Sequence, residues 1–476
     1  MRRANAARYR VLGVCIRRCR YPIDGRASMS HTADASADDF VNPVSPIGPD
    51  SPPAGGPGAL ALVGCTVVDG AGSPPLRQGV IVVEAGRITA LGPAGSVRIP
   101  DAARILRCDG QTALPGLIDS HTHIDRDVPA VLGVLLKDGV TSVGNTGCGP
   151  DMVPQLHRAG AHPAAARVFT SGPALTAPGG YPGTRGDGTV ARGVTSATEA
   201  EAAVDELVAL GADFIKLAQE PFDFNFRSPG HLPVLGPGPV AAAARRAKAH
   251  GLPVRSHVHN VTQLDIALDA GVTSVEHMLF PLPPEADYHE LYRDGALGTA
   301  ALPDLCRRLH RMVESGVYLV PTIGNELINI RDGLPDFPED GLRAIEELMV
   351  TVLSQYLEAG GRVALGSDWV GRPGVPAGMP RQELRYLLAA GMTPLQVVEA
   401  STRNAALLCG QGRTLGVLEP GRCADLIVVD GDPLRPDAAL DGIRARTVVK
   451  DGQLVSLTDA GSPAPLRHPV PADPPR

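Results

Sequence analysis

The sequence predicts an α/β protein: a (β/α)8 TIM barrel carrying a small β-sandwich domain built from both chain ends. Three observations point there. Residues 114–414 repeat one unit, an apolar strand-like run followed in most cases by a helix-like stretch. The runs end near His123, Asn145, Ser171, Leu217, His257, His277, Thr322 and Asp368. Eight such units in about 300 residues match the size of a (β/α)8 barrel. Strand-like alternation then flanks this middle on both sides, the texture of half-buried β-strands.

The elements follow in order. Residues 1–28 hold many arginines and lack the 7–15-residue apolar core of a secretory signal. Translation starting at Met29 is the simpler alternative for that stretch. Residues 30–58, rich in Ser, Asp, Pro and Gly, cannot bury enough apolar surface to order themselves. The expectation is therefore a disordered N-terminal extension over 1–58. Residues 59–113 supply the first sandwich part through ALALVGCTVVDG, GVIVVEAGRITALG and ARILRCDG. Residues 415–460 supply the second through CADLIVVDGDPL and IRARTVVKDGQLV, two unrelated hairpins being the alternative. Residues 461–476 form a Pro-rich flexible tail. Within the barrel, helices are expected over 198–211, 238–251 and 340–361, each stretch ending in Gly as a C-cap should.

Composition narrows the function classes. A net charge of −7 gives no electrostatic reason to expect nucleic-acid or membrane binding. No apolar stretch approaches the 18 or so residues of a membrane span. Eight scattered cysteines without a CxxC pair read as reduced thiols in a cytoplasmic protein. Cys15 and Cys19 lie too isolated among arginines to suggest a metal site.

The chemistry lies at the strand ends, which in such a barrel face one shared mouth. His121 and His123 are an i, i+2 pair, a spacing that puts both imidazoles on one face of a strand, able to bind one ion. His257 and His277 close the fifth and sixth strands one helix length apart. His259 shares the face of His257 and suits a substrate-binding or ligand-supporting role. Asp368 ends the eighth strand, where a carboxylate can touch a metal and take a proton from metal-bound water. Capping the next helix is its plainer alternative.

Lys216 ends the fourth strand. Its ammonium cannot ligate, and freeing the amine at pH 7 costs about 4.6 kcal/mol from a reference pKa near 10.4. Reaction with carbon dioxide would make it a carbamate able to bridge two metals. The alternative is an ion pair with Glu220, which could itself be the bridging carboxylate.

With these residues in view, the chain resembles the amidohydrolase superfamily. It is most similar to imidazolonepropionase-like and Xaa-Pro dipeptidase-like members with a binuclear, carboxylysine-bridged centre. The motifs are LPGLIDSHTHID, GADFIK, VRSHVH, AGVTSVEHM, ALGSDW, GMTPLQVVEASTRNAA and LEPGRCADLIVVDGDPL, spread over about residues 60–455. The resemblance implies that His121 and His123 bind the more buried metal and His257 and His277 the other. A carboxylated Lys216 would bridge them, and Asp368 would ligate and act as base. Two zinc ions per chain are expected, with iron and manganese left open.

The chain departs from the pattern twice. It reads Gly179-Gly180-Tyr181 where members carry histidine after Gly-Gly, which makes Tyr181 a candidate substrate contact. It reads LAQEPFDF after Lys216, where glycines are common.

The implied activity is hydrolysis of an amide-type C–N bond in a small molecule: a dipeptide, N-acyl amino acid, cyclic amide or carbamate. A metal-bridging hydroxide would attack the carbonyl and Asp368 would shuttle the proton. The second reading is a mononuclear deaminase or cyclic-imide (imidazolonepropionase-type) hydrolase with Lys216 unmodified. A non-enzymatic scaffold would predict broken ligand positions, and none is lost here. Homo-oligomers are common in the superfamily, and one is admitted without being required. Substrate identity rests on loops 173–195, 221–238 and 279–298.

Overall fold

The computed structural model describes residues 58–184, 188–221, 232–277, 302–372, 375–435 and 442–457. The expected N-terminal extension before Gly58, the tail 461–476, Cys15, Cys19 and most of loops 221–238 and 279–298 lie outside the described residues.

Strands β1 (Leu60–Val67), β2 (Leu76–Glu84), β3 (Arg87–Pro93), β4 (Arg104–Arg107) and β5 (Gln111–Pro115) come first. In β1 the alternation works as period two demands. Leu60 and Leu62 join one apolar cluster with Ile81 and Val83, while Ala61 packs on the other face with Val80 and Val82.

The middle of the chain switches to strand–helix alternation. Its strands are β6 (Leu117–Thr122), β7 (Val140–Asn145), β8 (Arg167–Thr170), β9 (Ala174–Thr176), β10 (Ala191–Gly193), β11 (Ile215–Gln219), β12 (Val254–Val258), β13 (Ser274–Glu276), β14 (Tyr318–Val320) and β15 (Arg362–Val363). The helices are α1 (Val128–Lys137), α2 (Met152–Gly160), α3 (Ala197–Leu210), α4 (Pro237–Ala249), α5 (Val261–Ala270), α6 (Leu302–Glu314), α7 (Ile323–Gly333), α8 (Glu339–Glu358), α9 (Arg381–Ala389) and α10 (Pro394–Glu399). The chain ends its described part in β16 (Leu426–Asp430), β17 (Ala445–Lys450) and β18 (Gln453–Leu454).

All middle strands pair in parallel, in the orders β6-β7-β8 and β10-β9-β11-β12-β13-β14-β15. Backbone hydrogen bonds run on between these two ladders. Asp213 N–H donates to the Thr170 carbonyl on one side (2.8 Å). On the other, Ser120 donates to Leu365 (3.0 Å), Asp368 to His121 (2.8 Å) and His123 to Trp369 (2.8 Å). The short strands β9 and β10 stand where the sequence suggested only a loop.

Local chemistry sets the helix ends. Ser196 caps α3 by accepting from Glu199 N–H, and Gly211 stops it at φ 99°, a left-handed turn that favours glycine. Asn260 caps α5 in the same way. Strand parity then sorts the side chains. Ile215, Leu217, Val254 and Val258 join the apolar core beneath the helices, where each fully buried leucine-sized side chain stabilises by about 1.5–3 kcal/mol. Lys216, Arg255 and His257 alternate with them and, by the same parity, occupy the opposite face.

Both chain ends enter one sheet, ordered β18-β17-β16-β5-β1-β2-β3 with β4 beside β1. β5 and β16 pair antiparallel from Gln111↔Asp430 to Pro115↔Leu426. A polar clamp ties this sheet to the parallel one. Arg167, at the start of β8, reaches Asp425 (2.5 Å) and Asp451, while Lys450 Nζ donates to the Gly160 (2.8 Å) and His162 (3.0 Å) carbonyls. Asp425 is nearly fully buried but also accepts from Asp451 N–H (2.8 Å). Arg167→Ala should therefore cost about 1.5–3 kcal/mol in urea unfolding, the range for lost hydrogen bonds to charged groups. Unchanged stability would show that the clamp contributes nothing.

Candidate metal centre

Strand ends deliver the candidate residues to one cavity of about 1710 Å³, lined among others by His121, His123, Tyr181, Lys216, His257, His259, His277 and Asp368. Among the described residues, two groups have potential ligating atoms within 4.8 Å of one another: His121, His277 and Asp368, and His257, His259 and His277. His277 belongs to both. His123 sits beside the first group, its Nε2 3.0 Å from Asp368 Oδ1, while His121 Nε2 lies 3.5 Å from the same oxygen. Tyr181 stands at the cavity wall, its ring 5.0 Å from that of His257.

The backbone is bent to achieve this. His277 (φ 80°), Thr322 (φ 48°) and Asp368 (φ 53°) are all left-handed, although none is glycine. Such residues cost of order 1–3 kcal/mol each and cluster at functional sites. Here the left-handed residues follow β13 by one position, β14 by two and β15 by five, where the chain turns at the cavity.

A buried ion network supports the candidate ligands. Glu276 Oε2 takes His121 Nδ1 (2.5 Å) and Arg255 (2.8 Å), and its Oε1 takes Arg255 Nε (2.9 Å) and the Ser274 hydroxyl (2.6 Å). Burial alone would raise its pKa, but Arg255, Lys216 and His121 hold the carboxyl well below the usual range. Holding His121 through Nδ1 turns Nε2 toward Asp368, a support common to metal-ligating histidines. On the other side, Glu326 Oε1 takes His277 Nδ1 (2.7 Å) and His259 Nε2 (3.3 Å). Burial opposes charge on His259, yet Glu220 and Glu326 push its pKa up to about 10. Glu220 meets both His257 (3.2 Å) and His259. His259 thus stands as a cation between two carboxylates.

Lys216 corrects one expectation. Glu220 is engaged by His257 and His259, and the carboxylate nearest Lys216 Nζ is Glu276, at 3.9 Å. Lys216 stands on β11 and Glu276 on β13, on either side of β12, the strand that bears Arg255. Burial pushes the Lys216 amine down to about 8, so the neutral form that reacts with carbon dioxide is more accessible than in water.

The donor set can be tested for fit to a metal. His121 Nε2, His277 Nε2 and Lys216 Nζ are all buried and lack hydrogen-bond partners. Orphaned buried polar atoms are rare in folded proteins and ask for an explanation such as an ion. Burial also keeps the ring nitrogens of His121, down at about 4, and of His257 and His277, well below the usual range, neutral and able to ligate. Asp368 stays ionised despite burial, held well below the carboxylate range by His121 and His123. Neutral imidazoles and a carboxylate are the ligands zinc takes. The residues fit.

Sequence reasoning missed Arg255, Glu276, Asn325 and Glu326. Arg255 carried a signal: it is i−2 from His257, a charge on the inward face of an otherwise apolar strand. Asn325 and Glu326 sit in the first turn of a helix, where no periodic signal marks them.

These features define an α/β architecture whose strand ends gather a cluster of candidate metal ligands, and comparison supplies the family. The amidohydrolase family model matches residues 112–455. The chain belongs to the amidohydrolase family. It is 25% identical over 427 residues to an adenine deaminase of Chelativorans sp. (strain BNC1), covering 86% of this chain and 60% of that protein. It is 29% identical over 233 residues to an ochratoxinase of Aspergillus niger, covering 48% of this chain and 41% of that one. The chain thus spans less than two thirds of either relative's length. In fold it is similar to a Xaa-Pro dipeptidase with methionine bound in its active site. There the TM-score is 0.66 and the identity 23%, over 83% of this chain and 99% of the other.

Proposed function

We propose that the chain is a metal-dependent hydrolase that cleaves an amide-type C–N bond in a small molecule. The observation that carries this is the set of orphaned, inward-facing donors on His121, His277 and Lys216 beside the ionised Asp368. In this reading the two parallel ladders close into a (β/α)8 barrel, and the sheet from both ends folds as a small sandwich against it. Two zinc ions would be held, one by His121, His123 and Asp368 and one by His257 and His277. A carboxylated Lys216 would lie between them, formed when the neutral amine adds carbon dioxide and releases a proton.

Bound divalent ions supply Lewis acidity, lowering the pKa of water toward about 7 and polarising a carbonyl. The chain's own residues do the rest. Asp368 Oδ1 accepts the proton of the attacking water and returns it to the leaving nitrogen, work worth about 10²–10⁴ in rate. Asn325 Nδ2 holds the other carboxylate oxygen (2.5 Å), which fixes the direction in which Oδ1 points. Glu276 and Glu326 keep the histidines aimed. Tyr181 and His259, at the cavity wall, contact the substrate. Dipeptides, N-acyl amino acids, cyclic amides and carbamates, which share a nitrogen bonded to a carbonyl carbon, are the substrates to try.

The second reading is a mononuclear deaminase or cyclic-imide hydrolase with an unmodified Lys216. Two observations favour it: the 3.9 Å approach of Lys216 to Glu276 and the similarity to an adenine deaminase. Metal analysis separates the two. The first predicts two zinc ions per chain, bicarbonate-assisted reconstitution after chelation, and loss of about one ion with most activity in Lys216→Ala. Saturation at one ion per chain, with Lys216→Ala fully active, would establish the second.

We place the enzyme in the cytoplasm, because the cysteines described at 65, 108, 148, 409 and 423 are buried and unpaired. Among the described residues no helix is long and apolar enough to cross a membrane.

A further inference from the structure

We propose that Glu383, on α9 and outside the ring of ligands, is a positioning residue that seats the first turn of α7, so that Asn325 and Glu326 hold Asp368 and His277 in ligating geometry. The inference rests on the metal-centre reading above.

The first turn of α7 serves both halves of the centre. Asn325 Nδ2 donates to Asp368 Oδ2 at 2.5 Å, and Glu326 Oε1 meets His277 Nδ1 at 2.7 Å and His259 Nε2 at 3.3 Å. A displaced turn would therefore loosen a ligand of each metal together. What fixes that turn is not its own cap. Thr322, the residue before the helix, makes no side-chain capping bond to it. Its hydroxyl instead faces His277 Nδ1 (2.8 Å) and Glu326 Oε1 (3.4 Å).

The first N–H groups of a helix need acceptors, and when the N-cap side chain is diverted another group must supply them. Glu383 does so. Its Oε2 accepts from Ile323 N–H (3.2 Å) and its Oε1 from Gly324 N–H (2.5 Å). Gly324 permits the approach: a Cβ there would lie 2.9 Å from Glu383 Oε1. The carboxyl is 3% exposed, and burial pushes its pKa up to about 8 against the pull of the two N–H groups. Asp119 and Glu326, both acidic, add to that upward push. A buried acid kept near other acids is poorly explained by stability alone. A role in holding a functional turn explains it.

The test uses the full chain and zinc as the probe, its affinity read by competition with a chromophoric chelator. Glu383→Ala should bind zinc about 10-fold more weakly, the low end of the range for residues that orient metal ligands. Glu383→Gln should recover part of this, since its amide oxygen can still accept one of the two bonds from the turn. In a background lacking both contacts, Asn325→Ala with Glu326→Ala, adding Glu383→Ala should cost little more. Wild-type affinity in Glu383→Ala, a Gln variant as weak as the Ala variant, or full additivity in the triple variant each overturns the proposal. Should Glu383→Ala fail to fold, Gly324→Ala, whose methyl group displaces the same carboxylate, takes its place, and unchanged zinc affinity there overturns it equally. A wild-type chain that binds no zinc would instead remove the metal-centre reading.

Discussion

Asp368→Asn is expected to lower kcat by about 10²-fold or more on any amide the wild type hydrolyses, while zinc content stays close to the wild-type value. The asparagine keeps an oxygen to face His123 and His121, so a ligand survives. What it loses is a group that can accept a proton, and proton transfer is the step assigned to Oδ1. The paired measurement of turnover and metal content is essential, because lost metal would mimic lost catalysis. Wild-type turnover in the fully metallated variant would remove Asp368 from its role and direct attention to His259 and Glu220.

Arg255→Met should have the largest effect on stability, about 3–5 kcal/mol in urea unfolding of the metal-free protein. Arg255 and Glu276 are both 0% exposed, and the arginine also donates to the Ser120 carbonyl (2.7 Å). Removing the cation leaves a carboxylate deep in the core, its charge offset only in part by Lys216 at 3.9 Å and by the bonds from His121 Nδ1 and the Ser274 hydroxyl. Methionine conserves most of the volume, so the cost reports the charge rather than a cavity. A loss below about 1 kcal/mol would mean that Lys216 or a shifted pKa compensates for the missing guanidinium.

Much of this site was legible because two periodicities are. Period two placed His121 with His123 and His257 with His259, and the repeated strand–helix unit put strand ends from His121 to Asp368 at one cavity. The strand ends expected at Asn145, Ser171 and His277 lie within a residue or so of those observed. The supporting charges were harder to read. Glu276 is adjacent to His277, so strict alternation would send the two side chains to opposite faces. The left-handed φ of His277 breaks that rule, and nothing in SVEHM announces the break. Glu326 and Glu383 come from helices whose polar residues look like ordinary solvent-facing ones. Their burial is a tertiary fact. The alternative ion pair of Lys216 with Glu220 fails for a similar reason: Glu220 is near in sequence, but two histidines engage it, and Glu276 stands 3.9 Å from the amine instead.

The pairing of β5 with β16 has a consequence for how the molecule is made. During synthesis β1–β5 leave the ribosome about 300 residues before the strand that completes their sheet, and synthesis proceeds at about 5–20 residues per second. For the intervening tens of seconds the β5 edge, with its buried Thr112, Ala113 and Leu114, has no natural neighbour. An unpaired edge of that kind is a template for wrong pairing, including with the same strand of another nascent chain. Contacts this distant in sequence also make folding slow. The nascent chain should therefore depend on chaperones more than its finished stability suggests, and products cut short before Leu426 should collect in aggregates.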